Sequence, residues 1–161
     1  MSQRPKLEQQ SNDILPTPSD SVLRQFLGYH MKRAYNVLRS DLLKTLEPLG
    51  LRITTYSSLV VIVENPGIRQ SELARALDIE RPNLVVVLDE LEQRGWINKE
   101  RVETDRRAYA LFATLAGSQV CEKAVALDKA HEARLLSSLD PATYEKLIEV
   151  LNSIEHSAVE P

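Results

Sequence analysis

Cysteine is nearly absent from this 161-residue chain, because Cys121 is the only one, so no disulfide can form within the chain. Long apolar runs are missing too. The longest aliphatic stretches, residues 59–63 and 84–88, have five residues each, whereas a membrane-spanning helix needs about twenty. Residues 1–20 are polar and lack the apolar segment of a secretion signal. These absences predict a cytoplasmic protein that does not cross a membrane.

Motifs that carry catalysis are also missing from the sequence. There is no nucleophile elbow and no glycine-rich phosphate loop. His131 and His156 lack the spacing to cysteine or acidic residues that a metal site needs. Cys121 has no partner thiol and is interpreted as a packed side chain. We therefore expect no enzyme, no cofactor and no metal.

Residues 70–112 carry the most informative pattern of the chain. Apolar spacing predicts two short helices, over residues 70–77 and 82–94. Pro82 suits the first turn of the second helix, and Gly95 suits the position just past its end. Two apolar strands follow, at residues 96–101 and 107–112, around a charged loop. Two helices joined by a tight turn and followed by a hairpin indicate a winged helix-turn-helix, which places one helix in the DNA major groove.

The rest of the chain is predicted to be helical. Apolar residues recur at helical spacing over residues 21–47, 54–64, 114–139 and 141–156. The first helix carries two apolar stripes, which implies cover from more than one side and hence a homodimer. The predicted fold is mainly α with a small β-hairpin wing. Its parts are a flexible N-terminal arm (1–20), a helical dimerisation region (21–50 and 114–156) and a winged helix-turn-helix DNA-binding domain (51–113).

Charge is distributed unevenly, although the net charge is only −3. Residues 52–112 hold nine Lys or Arg against ten Asp or Glu, so the predicted DNA-binding domain is not basic overall. Phosphate contacts depend on where cations are placed and not on the isoelectric point. We expect weak non-specific binding, with positive charge concentrated on Arg94, Lys99, Arg101, Arg106 and Arg107.

Residues 21–156 resemble the MarR family of bacterial transcription regulators. The motifs that carry the resemblance are Ser71–Ala74, Leu91–Ile97, Asp105–Ala108 and Leu115–Gly117. The resemblance implies a dimer whose first and last helices intertwine, and a repressor that a small ligand loosens from DNA. The chain departs from the family where Val85 and Val86 occupy positions that often carry Thr and Arg.

The helix predicted at residues 82–94 is expected to recognise bases. Leu84, Val87, Leu88 and Leu91 share one face, which should be buried. Valine methyl groups on the other face could contact the thymine methyl, and Asn83 could pair with adenine. The alternative is a solvated helix face. Asp89 and Glu90 are expected to repel phosphate and to limit contact to the first half of the helix. The predicted contacts are Arg81, Pro82, Asn83, Val85 and Val86.

The charged loop of the hairpin is the second predicted DNA contact. An arginine at the tip of a wing can enter the narrow minor groove, where the potential is most negative. We favour Arg107 for this role and Arg106 for a phosphate contact. Asp105 could hold the Arg107 side chain through a charge-assisted hydrogen bond. The alternative is an ordinary charged loop.

A ligand pocket is implied by the family resemblance, where the first two helices meet the fifth. His30 and Arg33 are three residues apart on one helix, so both could face that pocket. An arginine fork suits a carboxylate or a phosphate, and Tyr56 could stack on a phenol. Alternatively, Arg39 and Arg52 form ion pairs or touch DNA, and His30 lies in the dimer core. The candidates are His30, Arg33, Arg39, Arg52 and Tyr56.

The sequence therefore predicts a ligand-responsive transcriptional repressor. Its partners would be a second copy of the chain, a pseudo-palindromic double-stranded operator and a small anionic aromatic effector, namely an aromatic acid or its coenzyme A thioester. Two alternatives remain open. One is an activator, or a regulator without a small ligand. The other is a winged-helix module that binds proteins.

Overall fold

The computed structural model describes residues 18–102 and 105–157, except for the side chains of Val102 and of residues 105–108. Residues 1–17 of the predicted arm lie outside this range. The chain divides into two compact units between Ala34 and Tyr35, within the first helix. The helices are α1 (Leu27–Leu46), α2 (Ile53–Glu64), α3 (Gln70–Ala76), α4 (Arg81–Gln93), α5 (Leu115–Leu135) and α6 (Pro141–Ser157), with short 3-10 helices at Leu23–Gln25 and Glu47–Leu49.

A three-stranded antiparallel sheet accompanies the helices. Its strands are β1 (Ile68–Arg69), β2 (Ile97–Val102) and β3 (Asp105–Ala113), in the order β1-β3-β2. The β2–β3 hairpin is the predicted wing, so the mainly helical fold with a hairpin is confirmed. Strand β1 was not predicted, because two residues are too few to show the alternation of a strand. It pairs Ile68 with Leu111 and extends the sheet beside α3.

The core lies between α2, α3, α4 and the sheet. Leu59 and Ile62 of α2 are fully buried, as is Leu91 of α4. Burying a leucine or isoleucine side chain contributes about 1.5–3 kcal/mol, so this apolar contact fixes the position of α4. The four α4 residues predicted to face inward are all buried, namely Leu84, Val87, Leu88 and Leu91.

The turn between α3 and α4 sets the angle of the helix-turn-helix. Asp78 adopts a left-handed conformation with φ of 49°, which aspartate tolerates better than most residues. The Ile79 amide donates to the carbonyl oxygen of Ala74 (2.9 Å) and closes the turn. Pro82 lies in the first turn of α4 as predicted. Gly95, with φ of 68°, follows the end of α4, also as predicted.

The start of α5 is joined to the hairpin and to the end of α4. Thr114 caps α5 as predicted, because its Oγ1 accepts a hydrogen bond from the Gly117 amide (3.0 Å). The same hydroxyl donates to the carbonyl oxygen of Gly95 (2.7 Å). Gly117 is buried directly beneath the backbone of Trp96. This junction connects the helix-turn-helix to the long helix that follows it.

Two helices bury little within the single chain. No residue of α6 is buried, and only Leu46 is buried in α1. Apolar side chains of α6, among them Leu147, Ile148 and Leu151, are instead exposed. Among the described residues no single helix is long and apolar enough to cross a membrane, and α1 with α2 meets that test only as a bent pair.

Candidate nucleic-acid interface

Helix α4 presents an exposed face made of the residues predicted to contact bases. Val85 and Val86 expose 48% and 60% of their surface, although both are apolar. They are held outward because the residues on either side of them, Leu84 and Val87, are buried against α2 and α3. Arg81, Pro82 and Asn83 are exposed on the first turn of the same helix. The predicted base-contacting residues therefore share one accessible surface.

An open groove of about 500 Å³ lies between α4 and the start of α2. Asn83 and Val86 line it from the α4 side, and Arg52 and Thr54 line it from the α2 side. Arg52 was predicted as a ligand-binding residue, but here it accompanies the predicted DNA contacts. This agrees with the alternative interpretation of Arg52 as an ion-paired or DNA-contacting residue.

The acidic residues of α4 do not stand as free charges. Lys99 of β2 donates to Asp89 Oδ1 (2.6 Å) and forms an ion pair with Glu92 Oε2 (2.9 Å). Burial alone would lower the pKa of Lys99, but its hydrogen bonds to Asp89 and Glu92 outweigh that and raise the pKa. Asp89 is therefore paired with a cation of the same domain, and its predicted repulsion of phosphate stays a prediction.

Glu90 is balanced in the same way by two arginines. It forms ion pairs with Arg52, which precedes α2, and with Arg94 (3.0 Å). The Arg94 guanidinium also stacks over the Trp96 ring, 4.8 Å from its centroid. Arg94 and Lys99 belong to the stretch in which the sequence concentrates positive charge. Both neutralise acids of α4 and fix that helix to its neighbours.

At the start of β3, next to the wing tip, only the backbone is described. The side chains of Asp105, Arg106 and Arg107 lie outside the described residues, and their backbone forms the start of β3. Arg101, on the facing strand, is exposed and pairs in register with Tyr109. The roles of Arg106 and Arg107 at DNA remain predictions from the sequence.

Two predicted ligand residues, His30 and Arg33, lie in the unit that ends at Ala34. The His30 Nε2 donates to the carbonyl oxygen of Arg24 (2.7 Å). Arg33 donates to the Tyr29 hydroxyl (3.3 Å) and lies 3.7 Å from Asp20. Hydrogen bonds from Tyr29 and then Arg24 lower the pKa of Asp20. His30 and Arg33 thus bond to different partners within residues 18–34.

Tyr56 and Arg39 lie in the other unit and do not share an environment. Arg39 is exposed on α1, whereas Tyr56 is buried with Leu46, Leu51 and Ala124. The Tyr56 hydroxyl donates to Asp128 Oδ2 (2.9 Å). Burial, and then the hydrogen bond to Asp128, raise the pKa of Tyr56, so the phenol stays protonated.

A polar cluster around the buried His131 lies where the second half of α1 meets α5. The His131 ring nitrogens lie 3.4 Å from Asp128 Oδ1 and 3.4 Å from Asp41 Oδ2. Neither nitrogen makes a hydrogen bond among the described residues. Arg134 forms an ion pair with Asp41. His131 lacks the spacing of a metal ligand, but its position three residues after Asp128 on one helix is the sequence signal for this pair.

Comparison with known proteins identifies the family. The family model described as MarR family matches residues 51–109. The chain is also 34% identical to the transcriptional repressor CouR bound to a 23-mer DNA duplex, over 87% of this chain and 99% of that one, with a TM-score of 0.82. The chain belongs to the MarR family. The predicted family is thereby confirmed.

A second CouR structure and a curated protein also share substantial identity with this MarR-family chain. CouR bound to p-coumaroyl-CoA is 33% identical over 85% of this chain and 96% of that one, with a TM-score of 0.77. A curated Thauera aromatica protein, assigned as the transcriptional regulatory protein for the hcr operon, is 37% identical over 94 residues. That match covers 58% of this MarR-family chain and 57% of the relative's length.

Proposed function

We propose that this MarR-family protein is a homodimeric transcriptional repressor that binds a double-stranded operator through α4. One observation carries the proposal: α4 buries its leucines and turns an adjacent apolar pair, Val85 and Val86, outward beside Asn83. Valine methyl groups and an asparagine amide suit thymine and adenine in the major groove. Neutralisation of Asp89 and Glu90 within the domain removes two charges that would oppose phosphate. The similarity to CouR on DNA supports the same conclusion.

The wing is proposed as the second DNA contact. The backbone of Asp105, Arg106 and Arg107 forms the start of β3, beside the tip of the hairpin. An arginine near the tip of a wing suits a narrow minor groove. Arg94 and Lys99 pair with acids of α4, so we assign the remaining basic contacts to Arg81, Arg101 and the wing arginines. Because positive and negative charges in the domain are nearly equal, non-specific attraction to DNA should be weak, and binding should depend on the shape of the operator.

Homodimerisation is proposed from the surfaces that one chain leaves exposed. The α6 helix buries none of its residues but carries an apolar stripe, and Phe26, Leu27 and Met31 are exposed in the N-terminal unit. Contiguous exposed apolar surfaces mark interaction sites. A second copy of the chain is a suitable partner, because a two-fold dimer matches a palindromic operator.

Selection from a random-sequence duplex library tests the proposal. The wild-type protein should enrich a pseudo-palindrome whose half-sites lie about 10 base pairs apart. Arg107→Glu should abolish retention of that duplex, whereas a winged-helix module that binds proteins would be indifferent to DNA. Recovery of no common sequence, or of one asymmetric half-site, would be evidence against the proposal. Placing the selected site upstream or downstream of a reporter promoter distinguishes repression from activation.

Val86→Ala is expected to weaken binding to the selected duplex by about 1 kcal/mol, or about fivefold, by removing a contact to a thymine methyl group. Titration by fluorescence anisotropy measures the loss. Leu115→Ala is the matched control, because Leu115 is an exposed apolar residue outside α4. Because Val86 is exposed, the melting temperature should not change. Equal affinities for wild type and Val86→Ala would argue against insertion of α4 into the groove.

An anionic aromatic effector is proposed to release the operator. Among the described helices α1 is the most basic, and Lys44 near its end lines a groove of about 310 Å³ together with Glu47. These cations suit a carboxylate or the phosphates of a coenzyme A thioester. The structure of CouR with p-coumaroyl-CoA supports the thioester. The effector must bind the DNA-free conformation more tightly, typically by about 1–3 kcal/mol.

Arg33→Ala and Tyr56→Phe should each leave DNA affinity within about twofold of wild type while blunting release by the effector. Release is measured by adding p-coumaroyl-CoA, p-coumarate or free coenzyme A to the protein–duplex complex. We expect the thioester to release the duplex at lower concentration than either control. If none of the three compounds releases the duplex from the wild-type protein, the effector proposal is contradicted, whereas the DNA-binding proposal is unaffected.

A further inference from the structure

Lys99 lies on the wing, but its side chain faces α4. It lies on β2 opposite Leu111 of β3, and only 13% of its side chain is exposed. Its ammonium group lies within hydrogen-bonding distance of two carboxylates, Asp89 and Glu92. These are three residues apart on the last turns of α4, so one cation can reach both. Lys99 therefore lacks the exposure that a phosphate contact needs.

The two carboxylates lie where an uncompensated charge would oppose DNA binding. Asp89 is four residues after Val85 and three after Val86, so it continues the exposed face of α4 by one turn. Asp89 and Glu92 expose 51% and 47% of their side chains, whereas Lys99 is largely covered. Without Lys99, the face of α4 that approaches the groove would end in two carboxylates. Like charges brought together at an interface are strongly unfavourable.

We propose that Lys99 is a positioning residue for DNA binding, which offsets part of the negative charge of Asp89 and Glu92 so that the exposed face of α4 can approach the phosphate backbone. This inference rests on the proposed function. Lys99 acts through the two carboxylates and not by touching DNA. A cation on β2 thereby reduces the negative charge that α4 presents to DNA.

A rescue experiment tests the proposal on the duplex selected by the wild-type protein. Lys99→Gln should weaken binding about tenfold at low salt, because two carboxylates then face the DNA. Adding Asp89→Asn and Glu92→Gln should restore affinity to within about twofold of wild type, because no uncompensated charge remains. Lys123→Gln on α5 is the control for loss of one remote cation and should bind like wild type.

The same carboxylate changes with Lys99 intact give an independent result that does not require Lys99→Gln to fold. Asp89→Asn with Glu92→Gln should tighten binding a few-fold, because two carboxylate charges that repel phosphate are removed while the Lys99 charge is kept. Weaker binding by this double variant would overturn the proposal, since it would mean that the contacts are needed only to hold the wing. Failure of the triple variant to recover would overturn it as well. If the wild-type protein retains no duplex, the proposed function fails instead.

Discussion

Gly117→Ala is expected to lose at least about 3 kcal/mol of unfolding free energy, which is the largest single-residue effect on stability that we predict. A Cβ at this position would lie 2.0 Å from the Trp96 carbonyl oxygen and 2.8 Å from its carbon. Both are backbone atoms, so neither can move aside as a flexible side chain would. The Trp96 oxygen is also fixed by the Thr114 amide (2.9 Å). Urea unfolding followed by circular dichroism measures the loss.

Two other glycines provide matched controls for this substitution. Gly28 lies in α1, and no described atom comes within 4 Å of the point that an alanine methyl group would occupy there, so Gly28→Ala should be neutral or stabilising by up to about 1 kcal/mol. Gly95 is equally open but has φ of 68°, so Gly95→Ala tests backbone strain without a clash. If Gly117→Ala were as stable as Gly28→Ala, the described contact between α5 and the hairpin would be wrong.

Leu147→Asp combined with Leu151→Asp is expected to convert the protein from a dimer to a monomer and to weaken operator binding about 100-fold or more, because each monomer then holds one half-site without its neighbour. The two leucines lie one turn apart on the exposed stripe of α6. Introducing carboxylates would bury charge in any interface formed there. Sedimentation equilibrium should show the mass fall from about twice 18.2 kDa to 18.2 kDa.

Asn152→Asp with Ser153→Asp is the control, because it adds the same charge to α6 at exposed polar positions. This control should remain dimeric. A wild-type protein that sediments as a monomer would contradict the dimer directly. So would a Leu147→Asp/Leu151→Asp variant that keeps both its dimeric mass and its operator affinity.

The helices that carry the candidate site could be predicted because their burial follows a local period. The inward face of α4 follows from the spacing of Leu84, Leu88 and Leu91, and its ends follow from Pro82 and Gly95. The outward position of Val85 and Val86 follows from the same geometry. Strand β1 has two residues and no period, so it could be found only through its pairing with β3.

The electrostatics of the site could not be predicted, because they depend on residues that meet only after folding. Lys99 and Asp89 are ten residues apart across the end of a helix, and Arg52, just before α2, meets Glu90 of α4. Counting charges along the chain gives Lys99 and Arg94 only as part of a basic stretch, whereas in the folded protein both pair with acids of α4. The burial of His131 between Asp41 and Asp128 likewise joins α1 to α5, which lie far apart in sequence.

The most direct test of α4 insertion is a scan of the selected duplex in which each thymine in turn is replaced by uracil, which removes only the C5-methyl group from the major groove. The account predicts that one position in each half-site weakens wild-type binding by about threefold to tenfold, and that the same replacement has no effect on Val86→Ala. Hydrogen-bonding edges are unchanged, so the loss reports the methyl contact alone. A scan in which no thymine methyl matters, or in which the loss persists in Val86→Ala, would contradict placement of α4 in the major groove.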